Sequence, residues 1–248
     1  MTDATRPNAQ AEAALSQAIT ISRHGRSAPL RQQRSGRLDR RSLAKVGVAD
    51  PRVFIRKSAP GPDRIRVTIL LDASGSMSMR DWSPGGDRSR TLQELAAQTG
   101  RNLAGATERL PWVTADLMAF TNGSPGVLVF PIWASGDPLG DVDSYFRVPR
   151  GGTEEGYAIA YALDEIIEKR QPREQGLIII VSDGAPSEPR HVKSVVETAR
   201  AHGVPVVSVA LVPSAHQPTM YGRENVVDYS KSSRKLARDM ARVIGRVL

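Results

Sequence analysis

Three short polar clusters hold the residues able to do chemistry. They are Asp72-Ala73-Ser74-Gly75-Ser76, Gly151-Gly152-Thr153 and Ser182-Asp183-Gly184. Asp72, Ser74, Ser76, Thr153 and Asp183 together offer carboxylate and hydroxyl oxygens only, which makes them candidate metal ligands. A small, hard divalent cation such as Mg2+ wants oxygen donors in near-octahedral geometry and keeps part of its water. Mn2+ can substitute for it. Only two of the five donors are anionic, so the ion would stay net positive and favour a carboxylate from a partner. Glycines beside each cluster let three loops close around a small ion. Each cluster alone also reads as an ordinary capped turn. The metal reading rests on all three occurring in order, each at a strand end.

The elements that must position them follow from hydrophobic patterning. Ile65–Leu71 is a nearly continuous β-branched and leucine run, as a central parallel strand requires, and it ends at Asp72. Thr91–Glu108 keeps helical spacing through Leu92, Leu95, Ala96, Thr99 and Leu103. Ala115–Phe120 and Gly126–Trp133 read as paired strands around Asn122-Gly123. After Thr153, the residues Ile159, Ala160, Leu163, Ile166 and Ile167 mark one face of a helix. Leu177–Val181 is a buried strand ending at Asp183, and Val192, Val195, Val196 and Ala199 mark the next helix. Val204–Leu211 and Val226-Val227 add two strands, and Leu236 to Val247 a final helix. The expected fold class is α/β: a doubly wound, mostly parallel sheet of about six strands flanked by helices. In such sheets ligands bind at the C-terminal strand ends, where the three clusters fall.

Pro60-Gly61-Pro62 is the expected boundary of the globular domain. The expected division is a flexible arm over 1–34, a basic extension over 35–62 and a domain over 63–248. Val53–Ile55 reads as a short edge strand. The net charge of +8 is uneven, since residues 1–57 carry 12 Lys and Arg against 4 Asp and Glu, and the rest is neutral. Such an arm can meet nucleic acid or an acidic partner surface, or can simply be solvated. It has only Phe54 for base stacking, so nucleic acid is not the favoured partner.

Other chemistries lack their residues. With no cysteine there is no disulfide, thiolate site or cysteine nucleophile. His24, His191, His202 and His216 lack zinc spacing, and none accompanies a nucleophile and an acid. No Gly-x-x-x-x-Gly-Lys-Ser/Thr loop is present. The chain is expected not to be an enzyme by itself. The polar start lacks a secretory h-region and no apolar run is long enough for a bilayer, so no membrane is expected and the location reads as cytoplasmic. Glu154 and Glu155 are read as first-turn acids favourable to a helix dipole, with support of the metal site as the alternative. Asp81 and Asp87 are expected to be solvated. Trp112 and Trp133 are expected in the core, and Trp82, in the polar loop, is either a partner contact or tucked in.

Asp-x-Ser-x-Ser at Asp72, Ser74 and Ser76, followed by Thr153 and Asp183 in order, resembles the metal-ion-dependent adhesion site of von Willebrand A (VWA) domains. The resemblance covers about residues 63–248. It implies a Rossmann-like fold and a Mg2+ site at those five residues. A more specific likeness lies in Ser35-Gly36-Arg37-Leu38-Asp39-Arg40-Arg41, in Asp50 to Lys57, and in Ser182-Asp183-Gly184-Ala185-Pro186. These stretches resemble the VWA module of the aerobic cobalt chelatase large subunit and the VWA proteins that pair with MoxR-type AAA+ ATPases. The resemblance implies an AAA+ ATPase partner or its client, touching the metal through a Glu or Asp. It also implies that the arginine-rich arm is a family feature. A cobalt or magnesium chelatase subunit is the alternative, although that family has a long acidic N-terminal region where this chain has a short basic arm.

Overall fold

The computed structural model describes residues 8–25, 30–33, 37–38, 54–56, 64–80, 88–123, 126–139, 142–229 and 233–247. The central strand β4 (Arg64–Asp72) forms because its run of Ile, Val and Leu can be buried on both faces. It pairs in parallel with β5 (Val113–Gly123) on one side and β7 (Glu174–Ser182) on the other. β6 (Gly126–Ala134) returns antiparallel to β5, while β8 (Val206–Ala210) and β9 (Val226–Asp228) extend the parallel edge. The six-stranded order is therefore β6-β5-β4-β7-β8-β9, a mostly parallel sheet with helices on both faces. This is the expected fold class.

Strand alternation divides the core. Ile65, Val67, Ile69 and Leu71 of β4 join Leu177, Ile179 and Val181 of β7 under α2 (Leu92–Glu108) and α6 (Ser233–Val247). Leu70, Ile178 and Ile180 point the other way, under α3 (Glu155–Lys169) and α4 (Pro189–Ala201), with α5 (Gln217–Tyr221) beside them. α2 begins with a capping box: Thr91 accepts from the Glu94 amide and the Glu94 carboxylate accepts from the Thr91 amide. The buried face of α3 consists of Ala158, Ile159, Ala162, Leu163 and Ile166. Ile167, expected on that face, is 39% exposed.

The described part of the N-terminal stretch is helical, where a flexible arm over 1–34, with at most a frayed helix within 1–19, was expected. α1 (Ala9–Gly25) is a helix that packs against α2 and α6. It buries Ala11, Leu15 and Ile19, which are four residues apart and so share one face. The half-exposed Arg109 guanidinium donates to the buried Glu12 carboxylate at 2.9 Å, fixing α1 to the end of α2. Val53–Ile55 also differs from expectation. β3 (Phe54–Arg56) is the middle strand of a separate antiparallel sheet, between β1 (Leu30–Gln33) and β2 (Arg37–Leu38). Two short partners elsewhere in the chain supply its ladder, which a reading of that segment alone cannot reveal. Among the described residues no helix is long and apolar enough to cross a membrane.

Candidate metal centre

β4 and β7 run level, Leu71 opposite Val181, so both chains leave the sheet side by side at its C-terminal edge. Asp72 is the last residue of β4 and is fully buried. The chain then makes a short 3-10 turn over Gly75–Ser78. That turn folds Ser74 back: its amide donates to Asp72 Oδ1 at 2.7 Å, and its hydroxyl lies 3.0 Å from that of Ser76. Tyr145, wholly buried, donates its hydroxyl to the Asp72 carbonyl and holds the strand end from the opposite side.

The second loop is sewn to its neighbours by backbone hydrogen bonds. The Gly151 carbonyl accepts from Gly75 N at 2.9 Å, the Gly152 carbonyl from Asn122 N at 3.0 Å, and the Thr153 carbonyl from Ser187 N at 2.9 Å. One loop is thus tied to the Ser74–Ser76 turn, to the β5–β6 hairpin and to the loop after β7. Gly151 has no alternative here, because a Cβ would fall inside the Asn122 carbonyl group. Thr153 is buried, and Asp183 lies at 9% exposure with its Oδ1 accepting from Ala185 N at 3.1 Å. Gly184 takes φ +75°, and a Cβ there would meet the Gln217 side chain. The fold therefore brings Asp72, Ser74, Ser76, Thr153 and Asp183 to one edge of the sheet on three mutually bonded loops.

The electrostatics of this edge are unfavourable as it stands. Burial pushes the Asp72 carboxyl up to about 7, and the nearby Asp183 charge adds to the rise. The Ser74 amide and, more weakly, the Arg150 guanidinium oppose it. Asp72 Oδ2 is buried with no hydrogen-bond partner. A divalent cation is the kind of group that satisfies such an acceptor, so the donor set fits the metal that the motif implies. Among the described residues no three His, Cys, Asp or Glu side chains converge. Any cation held among the described residues here would have to draw on hydroxyl oxygens as well as carboxylates.

Beneath the loops lies a polar layer that the sequence did not announce. Glu155 is fully buried; Tyr221 donates its hydroxyl to Glu155 Oε1 and Ser182 donates to Oε2 at 3.5 Å. Burial raises its carboxyl to about 8, Tyr221 opposing and the Asp72 and Asp183 charges adding. Glu155 stands in the first turn of α3, as expected, but its carboxylate is fully buried against Tyr221 and Ser182. Gln217, also fully buried, packs its amide against Gly184 with neither polar atom paired. Glu154 stays at the surface and accepts from Asn122 Nδ2 at 3.3 Å. Nothing in the spacing of 154 and 155 distinguishes the two; the register of α3 against β7 does. Trp133 is buried and Trp112 partly so, as expected, while Trp82, Asp81 and Asp87 lie outside the described residues.

No protein-family model and no curated protein sequence matches the chain. Solved structures do resemble it. The manganese-loaded TRAP protein of Plasmodium vivax is 13% identical, covering 72% of each chain with a TM-score of 0.51. An aerotolerance-related membrane protein of Bacteroides fragilis, carrying multiple mutations to serines, is 14% identical over 73% of this chain and 99% of that one, TM-score 0.53. The SpRpn10 VWA domain is 16% identical over 71% and 93%, TM-score 0.52. Likeness at these identities establishes the fold, that of a VWA domain.

Proposed function

We propose that this chain is a divalent-cation-dependent protein-interaction module and not an enzyme by itself. Asp72, Ser74, Ser76, Thr153 and Asp183 would hold Mg2+, or Mn2+ in its place. The ion would supply an electrophilic point that captures a partner's Glu or Asp. The observation that carries this reading is the buried, unpartnered Oδ2 of Asp72, with the Asp183 charge and the Ser74 hydroxyl acting on that carboxylate and the Ser76 hydroxyl 3.0 Å from that of Ser74. Two buried carboxylates at one site repel each other, and a cation relieves both the repulsion and the unmet acceptor. The neutral hydroxyls leave the ion net positive, which suits capture of an anion better than hydrolysis.

The partner we propose is a MoxR-type AAA+ ATPase or its client. Support comes from the likeness of Ser35 to Arg41, Asp50 to Lys57 and Ser182 to Pro186 to chains that pair with such ATPases. The same stretches support the second reading, a non-catalytic subunit of a cobalt or magnesium chelatase.

A Mn2+ titration followed by EPR, with Mg2+ competition, tests the centre. Saturable binding that Asp72→Ala abolishes is the expected result, and equal binding by both proteins overturns the assignment. Pull-down of candidate ATPases with and without EDTA then tests the partner. Thr153→Ala should lose capture, and equal capture by wild type and variant would sink the proposal.

A further inference from the structure

We propose that the partner segment carries a Lys or Arg close to its metal-seeking Asp or Glu, and that this cationic side chain docks in an acidic, tyrosine-lined groove beside the metal loops. This rests on the metal-capture reading above and deepens it. The groove is open, about 590 Å³, and lies between the β5–β6 hairpin and the starts of α3 and α4. Glu154, Tyr157 and Glu188 form its functional wall, with Asn122 and Val127 across from them, and among the described residues no Lys or Arg lines it. Glu154 directly follows Thr153, so the groove continues the metal edge without a gap in the chain. The Asn122 amide donates to the Glu154 carboxylate, which orients it.

Three features point to a cationic occupant. Tyr157 is 51% exposed, yet its ring is braced edge-on against His191 at 4.3 Å, so an ordered aromatic face stands beside two carboxylates. A guanidinium or ammonium gains from both the ring and the acids. The same chemistry continues along α3, where Tyr161, Asp164 and Glu168 are exposed about one, two and three turns further on. Among the described residues, three of the four exposed large hydrophobic side chains, Tyr157, Tyr161 and Ile167, belong to α3. The rim is also polarised: Arg150, whose charge reaches Asp72, precedes the loop and Glu154 follows it. A segment with an acid followed or preceded by a base is therefore oriented as well as held.

The test uses the full chain and immobilised short peptides that carry one Glu and one Arg at spacings from adjacent to four residues apart. Glu-only and Arg-only peptides are the controls, each probed in Mg2+ and in EDTA. The expected result is Mg2+-dependent capture, about tenfold tighter for the best Glu/Arg spacing than for Glu alone. The double variant Glu154→Gln/Glu188→Gln should lose that preference while capturing the Glu-only peptide as before. Equal capture of Glu/Arg and Glu-only peptides overturns the groove and leaves the metal reading standing. Capture of no Glu peptide overturns it too, and Mn2+ EPR on the same sample then says whether the metal reading fails with it. Loss of Mn2+ binding in the double variant would assign these acids to the metal and also overturn the proposal.

Discussion

Gly151→Ala is the most discriminating single change, because its effect depends on how the three loops are joined. The new methyl carbon would overlap the Asn122 carbonyl oxygen, lie 2.6 Å from its carbon and 3.1 Å from Thr121 Oγ1. The obstacle is backbone in a strand of the sheet, so the 151–153 loop has to move. Overpacking of this kind costs about 1–3 kcal/mol. Moving the loop also stretches the Gly75–Gly151 and Asn122–Gly152 hydrogen bonds, each worth about 1 kcal/mol. A total near 3 kcal/mol corresponds to a fall in melting temperature of about 6–12 °C for a domain of this size. The same shift displaces Thr153, so Mn2+ affinity should fall at least about tenfold, the equivalent of ~1.4 kcal/mol. Gly152→Ala is the internal control. Its methyl would sit 3.4 Å from Asn122 Cβ in exposed space, and it should change stability by less than about 0.5 kcal/mol. Circular-dichroism melts and EPR titration of both variants measure the two effects. If Gly151→Ala melts with wild type, or if Gly152→Ala loses as much, the close approach of the loop to β5 is refuted.

Asp72→Asn removes a buried charge that has no partner for Oδ2, so melts in EDTA should show stability unchanged or raised. With Mn2+ at a hundred times its dissociation constant, wild type should gain about 2.7 kcal/mol and the variant nothing. A variant still stabilised by metal would count against Asp72 as a ligand. Leu15→Ala tests whether α1 belongs to the folded core. Its side chain is 2% exposed, and urea denaturation should show a loss of about 2–4 kcal/mol, whereas a frayed arm would show none. Tyr221→Phe keeps the ring but removes the donor to the buried Glu155 and should cost about 1–3 kcal/mol in the same assay. An unchanged urea midpoint would mean that the hydrogen bond is not made.

Much of the architecture was legible because its signals are local. Ile65–Leu71 and Leu177–Val181 can satisfy their hydrophobic surface only as strands covered on both faces, and the helical spacings between strands leave a crossover sheet as the compact solution. The position of Asp72 and Asp183 at strand ends follows from where those runs stop. The pairing of β5 with β6 was visible in their apolar runs, but Asn122-Gly123, read as the turn, lies inside the ladder, where Asn122 pairs with Val127 and Gly123 with Gly126. By contrast, α1 was read as an arm because its apolar residues are few and small. Ala11, Leu15 and Ile19 suffice only because α2 and α6 present a matching face.

The sequence alone determined the succession of the six main-sheet strands and of α2, α3, α4 and α6, the three polar clusters, and the separation of a basic N-terminal stretch from a neutral remainder. Tertiary structure decided the depth and connection of everything around those clusters. Glu155 is buried by Tyr221, which lies 66 residues away, and the Asp72 carbonyl is held by Tyr145, which lies 73 away. Gly151 is required by the carbonyl of Asn122, a neighbour only once β5 lies beside β4. Hydrophobic period and turn chemistry act over a few residues and can be read along a chain. Burial, desolvation and steric exclusion depend on which distant elements arrive at the same place, and only packing supplies that.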